Sequence, residues 1–162
     1  MTTQSIKIKD KIRIRGRFRF KTYKAGTKEL IRQTDWMENL IMLGTNTGLN
    51  IFIKRLLGTK THDPEITKAK IGSGDTAPAD EDTDLETTVL DNILVAKSTE
   101  ESVGVVVFEF FMSDSDLADG AYKEFGIFCN TQLFARALIL PVYTKSEGED
   151  TQCEYEIILS NL

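Results

Sequence analysis

Apolar and basic residues alternate with a period of two near the start of the chain. The even positions are mainly isoleucine and phenylalanine, while every odd position from Lys7 to Lys21 is lysine or arginine. Because successive side chains of a strand point to opposite faces, this pattern predicts an extended strand with one apolar and one cationic face. A turn signal at 24–27 and apolar residues within 30–37 predict a returning strand, and therefore an N-terminal hairpin.

A helical repeat follows at about residues 47–57. Its apolar residues recur at spacings of three and four: Leu49, Phe52, Ile53, Leu56 and Leu57. This spacing places them on one stripe of an amphipathic helix, and Gly58 stands where a helix commonly ends. We expect the stripe to pack against a sheet face.

From residue 66 onward, short runs of β-branched and aromatic residues are separated by polar loops. They predict strands at 66–72, 89–97, 103–112, 123–129, 132–140 and 151–159. The run 103–111 is almost wholly apolar, as in a central strand that is covered on both faces. The pattern predicts a mainly β fold, an antiparallel β-sandwich forming a single domain over residues 1–162.

Charge is distributed unevenly along the chain, whose formal net charge is −5. Residues 1–34 carry eleven Lys/Arg against two acids, a net charge of +9, and residues 35–162 carry nine against 23, a net charge of −14. We therefore predict a basic extended hairpin over 1–34 and an acidic body over 35–162. An asymmetry of this size constrains the partners of a protein and not its fold.

The cationic strand face is the candidate contact surface, and the residues expected to make the contact are Arg13, Arg15, Arg17 and Arg19. Docking on the acidic surface of a neighbouring subunit would use both halves of the charge distribution. Contact with the phosphates of nucleic acid is another interpretation, which the aromatic residues on the opposite strand face and the acidic body count against. A solvated face that deters edge aggregation is the remaining interpretation. If the face docks, reversal of its four charges should abolish association and leave the fold intact.

An acidic loop over residues 75–86 is the candidate metal site. Its alternating carboxylates are Asp80, Asp82, Asp84 and Glu86. They reproduce the spacing of the first ligands in an EF-hand loop, but Leu85 stands where that loop requires glycine. A solvated loop is therefore the simpler interpretation. We predict no cofactor and leave a structural Ca²⁺ or Mg²⁺ open.

Few residues are available for catalysis. His62 is the only histidine, so a Ser-His-Asp or Cys-His arrangement cannot be assembled without it, and we expect no enzyme. Cys129 and Cys153 lie in predicted strands and are expected to be buried, reduced thiols. No segment approaches the roughly 18 apolar residues of a membrane span, and the N-terminus lacks the apolar segment of a signal peptide.

Three groups of residues together resemble tailed-bacteriophage virion proteins. Residues 38–58 contain ENLI, NTGLN and LLG, similar to the segment that joins an N-terminal hairpin to a helix in those proteins. Residues 71–86 contain IGSGDTAP and DTDLE, and they resemble a loop that recurs in phage tail, baseplate and fibre-attachment proteins. Residues 123–137 contain KEFGIF and LFARA, and they resemble a strand pair of the same family.

The resemblance implies a non-enzymatic, homo-oligomeric structural subunit of a virion, assembled in the host cytoplasm. It implies a β-rich fold and contacts with other virion proteins in the tail, baseplate or neck. A capsid decoration protein is the nearest variant in the same class. From another class, the alternative is a β-sandwich module that binds a host-surface glycan or protein, for which Trp36 and Tyr143 are the candidate aromatic residues.

Overall fold

The protein folds mainly as β-strands, which make up 58% of a computed structural model with one short helix. The structure describes residues 12–59 and 61–161, so the predicted strand positions before residue 12 lie outside the described residues. The elements are, in chain order, β1 (Ile12–Lys24), β2 (Leu30–Gln33), β3 (Met37–Glu38), β4 (Leu40–Ile41), α1 (Gly48–Leu56), β5 (Lys68–Gly72), β6 (Thr88–Ser102), β7 (Val105–Met112), β8 (Gly120–Cys129), β9 (Gln132–Lys145) and β10 (Glu149–Asn161).

The ten strands form one antiparallel sheet that curls into a half-barrel. Their order is β2-β1-β10-β7-β6-β5-β8-β9-β4, with β3 also beside β1. β6 is the corner, because its residues 95–102 pair with β7 and its residues 88–94 pair with β5. The first half-sheet is formed by β2, β3, β1, β10, β7 and residues 95–102 of β6. The second half-sheet is formed by residues 88–94 of β6 and by β5, β8, β9 and β4. The predicted mainly β, antiparallel fold with an N-terminal hairpin is confirmed, and in place of the two separate sheets of the predicted sandwich there is one continuous sheet that bends at β6.

An aromatic cluster fills the space between the two half-sheets. Phe125 of β8 stacks on Phe18 of β1 with ring centroids 5.8 Å apart. It meets Phe20 edge-on at 5.6 Å and Phe110 of β7 at 6.0 Å. Phe18 and Phe20 are fully buried, as the alternation along the first strand predicts. The rings therefore hold the first half-sheet against the second.

β7 lies in the middle of the first half-sheet, between β10 and β6, as predicted. Phe110 and Met112 are buried, but Phe111 between them is 46% exposed. The expectation that this strand is covered on both faces is therefore wrong. Among the described residues, no second layer covers the outer face of the first half-sheet, although its β7 residues are mostly apolar.

Helix α1 ends as its sequence predicts. Gly58 adopts a left-handed conformation with φ of 80°. The N–H of Gly58 donates to the carbonyl of Arg55 at 3.0 Å, and the N–H of Thr59 donates to that of Lys54 at 2.9 Å. Two carbonyl groups of the last turn are thereby satisfied, which is the usual function of glycine at a helix end.

The expectation that the apolar stripe of α1 packs against a sheet face holds for Phe52, which meets Phe134 of β9, but not for the rest of the exposed stripe. Ile51, which lies outside the stripe, is the fully buried residue of the helix. Its stripe residues Phe52, Ile53 and Leu56 are 42%, 55% and 83% exposed, and Leu57 is 78% exposed. The helix inserts Ile51 into the core, and the Phe52 ring meets that of Phe134 of β9 at a centroid distance of 5.9 Å. One helix face is used for the core, so the opposite one is left to solvent.

Both cysteines are buried free thiols, as predicted. Burial raises the pKa of the Cys129 thiol to about 12, and it raises the pKa of Cys153 well above the ordinary value. Because the thiolate is the reactive form, neither side chain is a nucleophile in the folded protein.

Candidate interaction surface

β1 presents its cations on the outer face of the first half-sheet. It pairs with β10 along its whole length, with Arg17 opposite Glu156 and Arg19 opposite Glu154. β10 alternates in the same way as β1, since Cys153 and Tyr155 are buried on the inner face. The row of cations therefore lies beside a row of carboxylates on the same sheet surface.

Three of these cations form ion pairs within the chain. Arg17 pairs with Glu156, Lys21 pairs with Glu154, and the Nε of Arg19 donates to Glu154 Oε2 at 2.6 Å. Burial alone would raise the pKa of Glu154, but the hydrogen bonds from Lys21 and Arg19 outweigh it, so that pKa is lowered. This part of the basic face is neutralised by β10.

Trp36 covers the same cations from the other side. The guanidinium carbons of Arg17 and Arg19 each lie 4.5 Å from the centroid of the Trp36 ring, and the indole is half-buried. Such cation–π contacts contribute about 0.5–1 kcal/mol at exposed sites. The second aromatic candidate, Tyr143, is buried, and its hydroxyl lies 2.8 Å from the Thr22 and Thr151 hydroxyls. Neither ring is presented as a free platform for a glycan.

Arg13 and Arg15 differ from the other two predicted arginines. Both are exposed, and they lie opposite Ser160 and Ile158, which carry no charge. Within residues 12–59 and 61–161, neither arginine has a carboxylate partner. The structure therefore divides the predicted four-arginine site into a neutralised part, Arg17 and Arg19, and an open part, Arg13 and Arg15.

Because of this division, reversing the charge of all four arginines would not leave the fold intact. Reversing Arg17 and Arg19 would place new carboxylates against Glu156 and Glu154, and like charges directly opposite one another on a sheet are destabilising. The four-residue variant therefore damages the fold as well as the surface. Only the reversal of Arg13 and Arg15 leaves the β1–β10 ion pairs in place.

The acidic loop does not gather its carboxylates around one point. Asp82 accepts from Arg136 at 2.5 Å, Asp84 pairs with Lys70 at 2.9 Å, and Glu86 accepts from Thr76. The fourth candidate, Asp80, is exposed, and its backbone carbonyl accepts from Gly44 at 2.9 Å. Among the described residues, no group of three acids, histidines or cysteines could hold a metal ion. The geometry therefore gives the Ca²⁺ or Mg²⁺ hypothesis no support.

Instead, a buried carboxylate fixes this loop to the second half-sheet. Glu124 of β8 is fully buried and receives the backbone N–H groups of Gly74, Glu86 and Thr87 at 2.7–3.0 Å. Arg136 of β9 donates its Nε to the same carboxylate at 3.1 Å. A buried charge is tolerated only when it is paired and hydrogen-bonded, and Glu124 satisfies both conditions.

Arg136 completes this network on the loop side. It is 3% exposed, donates to Asp82 and donates to the Thr76 carbonyl at 2.9 Å. The polar residues of the second and third phage-like groups thus meet in one fold-stabilising cluster. The sequence held a signal for it, a lone acid and a lone arginine within the otherwise apolar strands KEFGIF and LFARA.

Five large apolar side chains on α1 and beside it in the chain are exposed. They are Phe52, Ile53 and Leu56 of the helix, Leu57 directly after it, and Leu43 before it, which is 59% exposed. Lys54 and Arg55 lie in the last turn of the helix, so the apolar stripe has basic neighbours. Contiguous apolar patches on soluble subunits mark interaction sites. We call this surface, formed by Leu43, Phe52, Ile53, Leu56 and Leu57, the helix patch.

No family model, no curated protein and no solved structure matches this chain. In the part of the chain that the structure describes, no helix has the length and apolarity to cross a membrane. What the protein does is therefore inferred from its own surface: a helix patch, an open pair of arginines, and a neutralised charge row between strands.

The ion pairs of this surface predict a pH dependence of stability. The hydrogen bond from Arg32 lowers the pKa of Glu149, and the pKa of Glu154 is lowered as described above. A carboxylate whose pKa is lower in the folded state stabilises the fold above its unfolded pKa of about 4.3, and this stabilisation is lost as the pH falls through the folded value.

We therefore expect the free energy of unfolding to be flat from neutral pH to about pH 5.5 and to fall below about pH 4.5. Urea denaturation at a series of pH values measures it. Glu154→Gln should weaken the dependence, whereas Glu147→Gln, on a side chain with no ion pair among the described residues, should leave it unchanged. Greater stability at pH 3 than at pH 7 would contradict the prediction.

Proposed function

We propose that this chain is a non-enzymatic structural subunit of a tailed-phage virion, which binds copies of itself and other virion proteins in the tail, baseplate or neck. The observation that carries the proposal is the helix patch. Leu56 and Leu57 are 83% and 78% exposed at the end of helix α1, whose residue Ile51 is buried in the core. An exposed apolar patch of this kind is a surface for a protein partner.

The energetics of the patch favour a permanent contact. Full burial of a leucine side chain contributes about 1.5–3 kcal/mol, so the two leucines alone could supply a substantial share of a binding free energy. Virion components are held together by such large, permanent contacts between subunits. The outer face of the first half-sheet, with half-buried apolar residues on β7, adds a second surface of mixed character.

The phage resemblance supports the class of protein. The residues that carry it include Glu124, Arg136 and Gly74, which form the buried loop network. Gly74 lies so close to Glu124 and Glu86 that a Cβ atom there would overlap both side chains. The residues that resemble phage proteins thus have a common structural purpose, which is to fix a long loop on a β-sheet. This purpose suits a structural protein.

Detection in purified particles tests the proposal. We expect mass spectrometry of density-purified virions of the phage that encodes this chain to find it in stoichiometric amounts, and immunogold labels to lie on the tail or neck. Labels over the head would assign it to capsid decoration instead. Absence from purified virions would overturn the structural role.

A pair of variants tests the helix patch in the same particles. Leu56→Ser/Leu57→Ser should reduce incorporation by about tenfold or more, since it removes the two most exposed leucines of the patch. The matched control is Leu30→Ser/Ile31→Ser on β2, because those residues are 51% and 50% exposed and lie in another element. Equal incorporation of both variants would show that the helix patch binds nothing in the virion.

A further inference from the structure

The first half-sheet has an open edge at the end of β6. On the side of β6 away from β7, the N–H of Val95 donates to the Thr67 carbonyl at 3.2 Å. Beyond Val95, residues 97–102 pair only with β7 among residues 12–59 and 61–161. An uncovered strand edge presents unpaired N–H and C=O groups, which another strand can bind. The end of β6 is therefore a candidate binding edge.

The hydrogen bonds of β7 show which backbone groups of β6 are already used. Val105 is paired with Ser102 across the two-residue turn at 103–104. A turn of this length is closed by a hydrogen bond between its flanking residues, so Val105 directs its N–H to β6. Residues two apart in a strand direct their backbone groups to the same side. Val107 and Glu109 therefore bond β6 as well.

The partners of these two β7 residues are Thr99 and Lys97. Both direct their backbone groups to β7, so Ser98 and Glu100 direct theirs to the open edge. The pairing with β7 is regular from Lys97 to Glu100, between an irregularity at each end. An incoming strand can thus form hydrogen bonds with Ser98 and Glu100.

The side chains of this stretch carry opposite charges on one face. The odd-numbered residues of β7, such as the exposed Phe111, lie on the outer face, and Lys97 and Thr99 share it because they are opposite such residues. Alternation beyond Thr99 places Glu101 on the same face. The Lys97 side chain is 63% exposed and lies 3.9 Å from Glu109, so its charge is open to a second partner. A cation and a carboxylate therefore stand two residues before and two residues after Thr99.

This pattern is complementary to itself. We infer that residues 97–101 of β6 pair antiparallel with the same residues of a second copy of this chain, with Thr99 on the two-fold axis. Lys97 then lies opposite Glu101 of the second copy, and this pair occurs twice. Ser98 exchanges backbone hydrogen bonds with Glu100 of the second copy, which continues the sheet from one copy into the other.

The contact is isologous, so it closes as a dimer and does not extend into a ring or a fibre. The inference rests on the proposed function in that it names the contact between copies of a structural subunit.

The register follows from the open backbone groups and from charge. The outward backbone groups of Ser98 and Glu100 can meet those of a second copy only if the axis passes through residue 98, 99 or 100. An axis at Glu100 places two glutamates directly opposite each other, which is destabilising. An axis at Ser98 places Lys97 opposite the uncharged Thr99. Only the axis at Thr99 brings both opposite-charge pairs together, and these long side chains can meet across the irregularity that follows residue 100.

Charge reversal with rescue tests the pairing. Lys97→Glu and Glu101→Lys should each raise the dissociation constant of the dimer by about tenfold or more in sedimentation velocity at low salt, because each creates two like-charge pairs. An equimolar mixture of the two variants should dimerise like the wild type, since both pairs of the mixed dimer are again opposite in charge. Glu147→Lys, the same change on an exposed residue outside β6, should leave the dissociation constant unchanged.

A cysteine on the proposed axis tests the register. Directly opposite residues of a non-hydrogen-bonded antiparallel pair have Cα atoms about 4.5 Å apart, which a disulfide can bridge. Thr99→Cys should therefore form a disulfide-linked dimer on mild oxidation. Ser102→Cys should not, because its two copies are about 20 Å apart in this register. The native cysteines are buried, so they do not compete for the oxidant.

A backbone variant tests the strand addition independently of charge. Ser98→Pro removes an N–H group from the open edge and keeps the β6–β7 hydrogen bonds, so it should raise the dissociation constant by about 100-fold or more. Ser98→Ala keeps the N–H and should dimerise like the wild type. Circular dichroism of each variant checks that the sheet is retained.

The outcomes separate this inference from the proposed function. A wild-type chain that stays monomeric, a mixture that fails to recover, or equal cross-linking at residues 99 and 102 would overturn the β6 pairing, even if the chain is found in virions. Recovery in the mixture together with absence from purified virions would support the β6 pairing and overturn the virion role.

Discussion

Glu124→Ala is expected to lower the free energy of unfolding by about 3–5 kcal/mol, because breaking a buried ion pair leaves an uncompensated charge. The carboxylate is fully buried and receives three backbone N–H groups as well as Arg136. Its removal leaves the guanidinium of Arg136, which is 3% exposed, with Asp82 as its remaining acidic partner. Urea denaturation measures the loss.

The same variant should release the loop that the carboxylate fixes. Amide hydrogen exchange at Gly74, Glu86 and Thr87 is expected to accelerate more than exchange in β10. Asp75→Ala is the control, because Asp75 lies in the same loop but is exposed and pairs with Lys123 at 3.3 Å. It should cost less than about 0.5 kcal/mol. A Glu124→Ala protein as stable as the Asp75→Ala protein would refute the role of the network.

Phe110→Ala is expected to lower the free energy of unfolding by about 3–5 kcal/mol, as other large-to-small changes of buried phenylalanines do. Phe110 is fully buried, and its ring meets that of Phe125 at 6.0 Å. The substitution opens a cavity at the contact between the two half-sheets. Chemical denaturation monitored by circular dichroism measures the change.

The neighbouring residue in β7 supplies the matched control. Phe111 has the same side chain but points to the outer face and is 46% exposed. Phe111→Ala should cost clearly less, about 1–2 kcal/mol, because nearly half of this side chain stays in water in the folded protein. Equal losses for the two variants would mean that the outer face of the first half-sheet is as well packed as the core.

Much of the fold was open to prediction because its signals are local. The alternation along β1 placed Phe18 and Phe20 in the core. Six runs of β-branched and aromatic residues became strands, four of them longer than predicted and two, β5 and β7, shorter. The end of α1 at Gly58 followed from the conformational freedom of glycine. Each of these features depends on residues within one element.

The parts that failed depend on residues far apart in the chain. The partners of Arg17 and Arg19 lie 139 and 135 residues away, so the neutralisation of half the basic face could not be seen in the hairpin alone. The stripe of α1 identifies an apolar helix face but not what covers it. Local periodicity reports that a surface avoids water, and it does not distinguish a core from a partner.

The candidate site was predicted in outline and corrected in detail. The four arginines do lie on one sheet face, but only Arg13 and Arg15 are without a carboxylate partner among residues 12–59 and 61–161. The alternating acids of the loop matched a metal-binding spacing, yet Arg136 and Lys70 draw Asp82 and Asp84 apart. A spacing rule cannot anticipate a cation supplied by a distant strand.

The two buried thiols can report how fast each half-sheet opens. Cys129 ends β8 in the second half-sheet, and Cys153 lies on β10 in the first, so each thiol belongs to a different wall of the half-barrel. Their raised pKa values keep them protonated in the closed form. An alkylating reagent therefore reacts with each sulfur only when its half-sheet separates from the core. The alkylation rates of the two cysteines together show whether the two half-sheets open as one unit or separately.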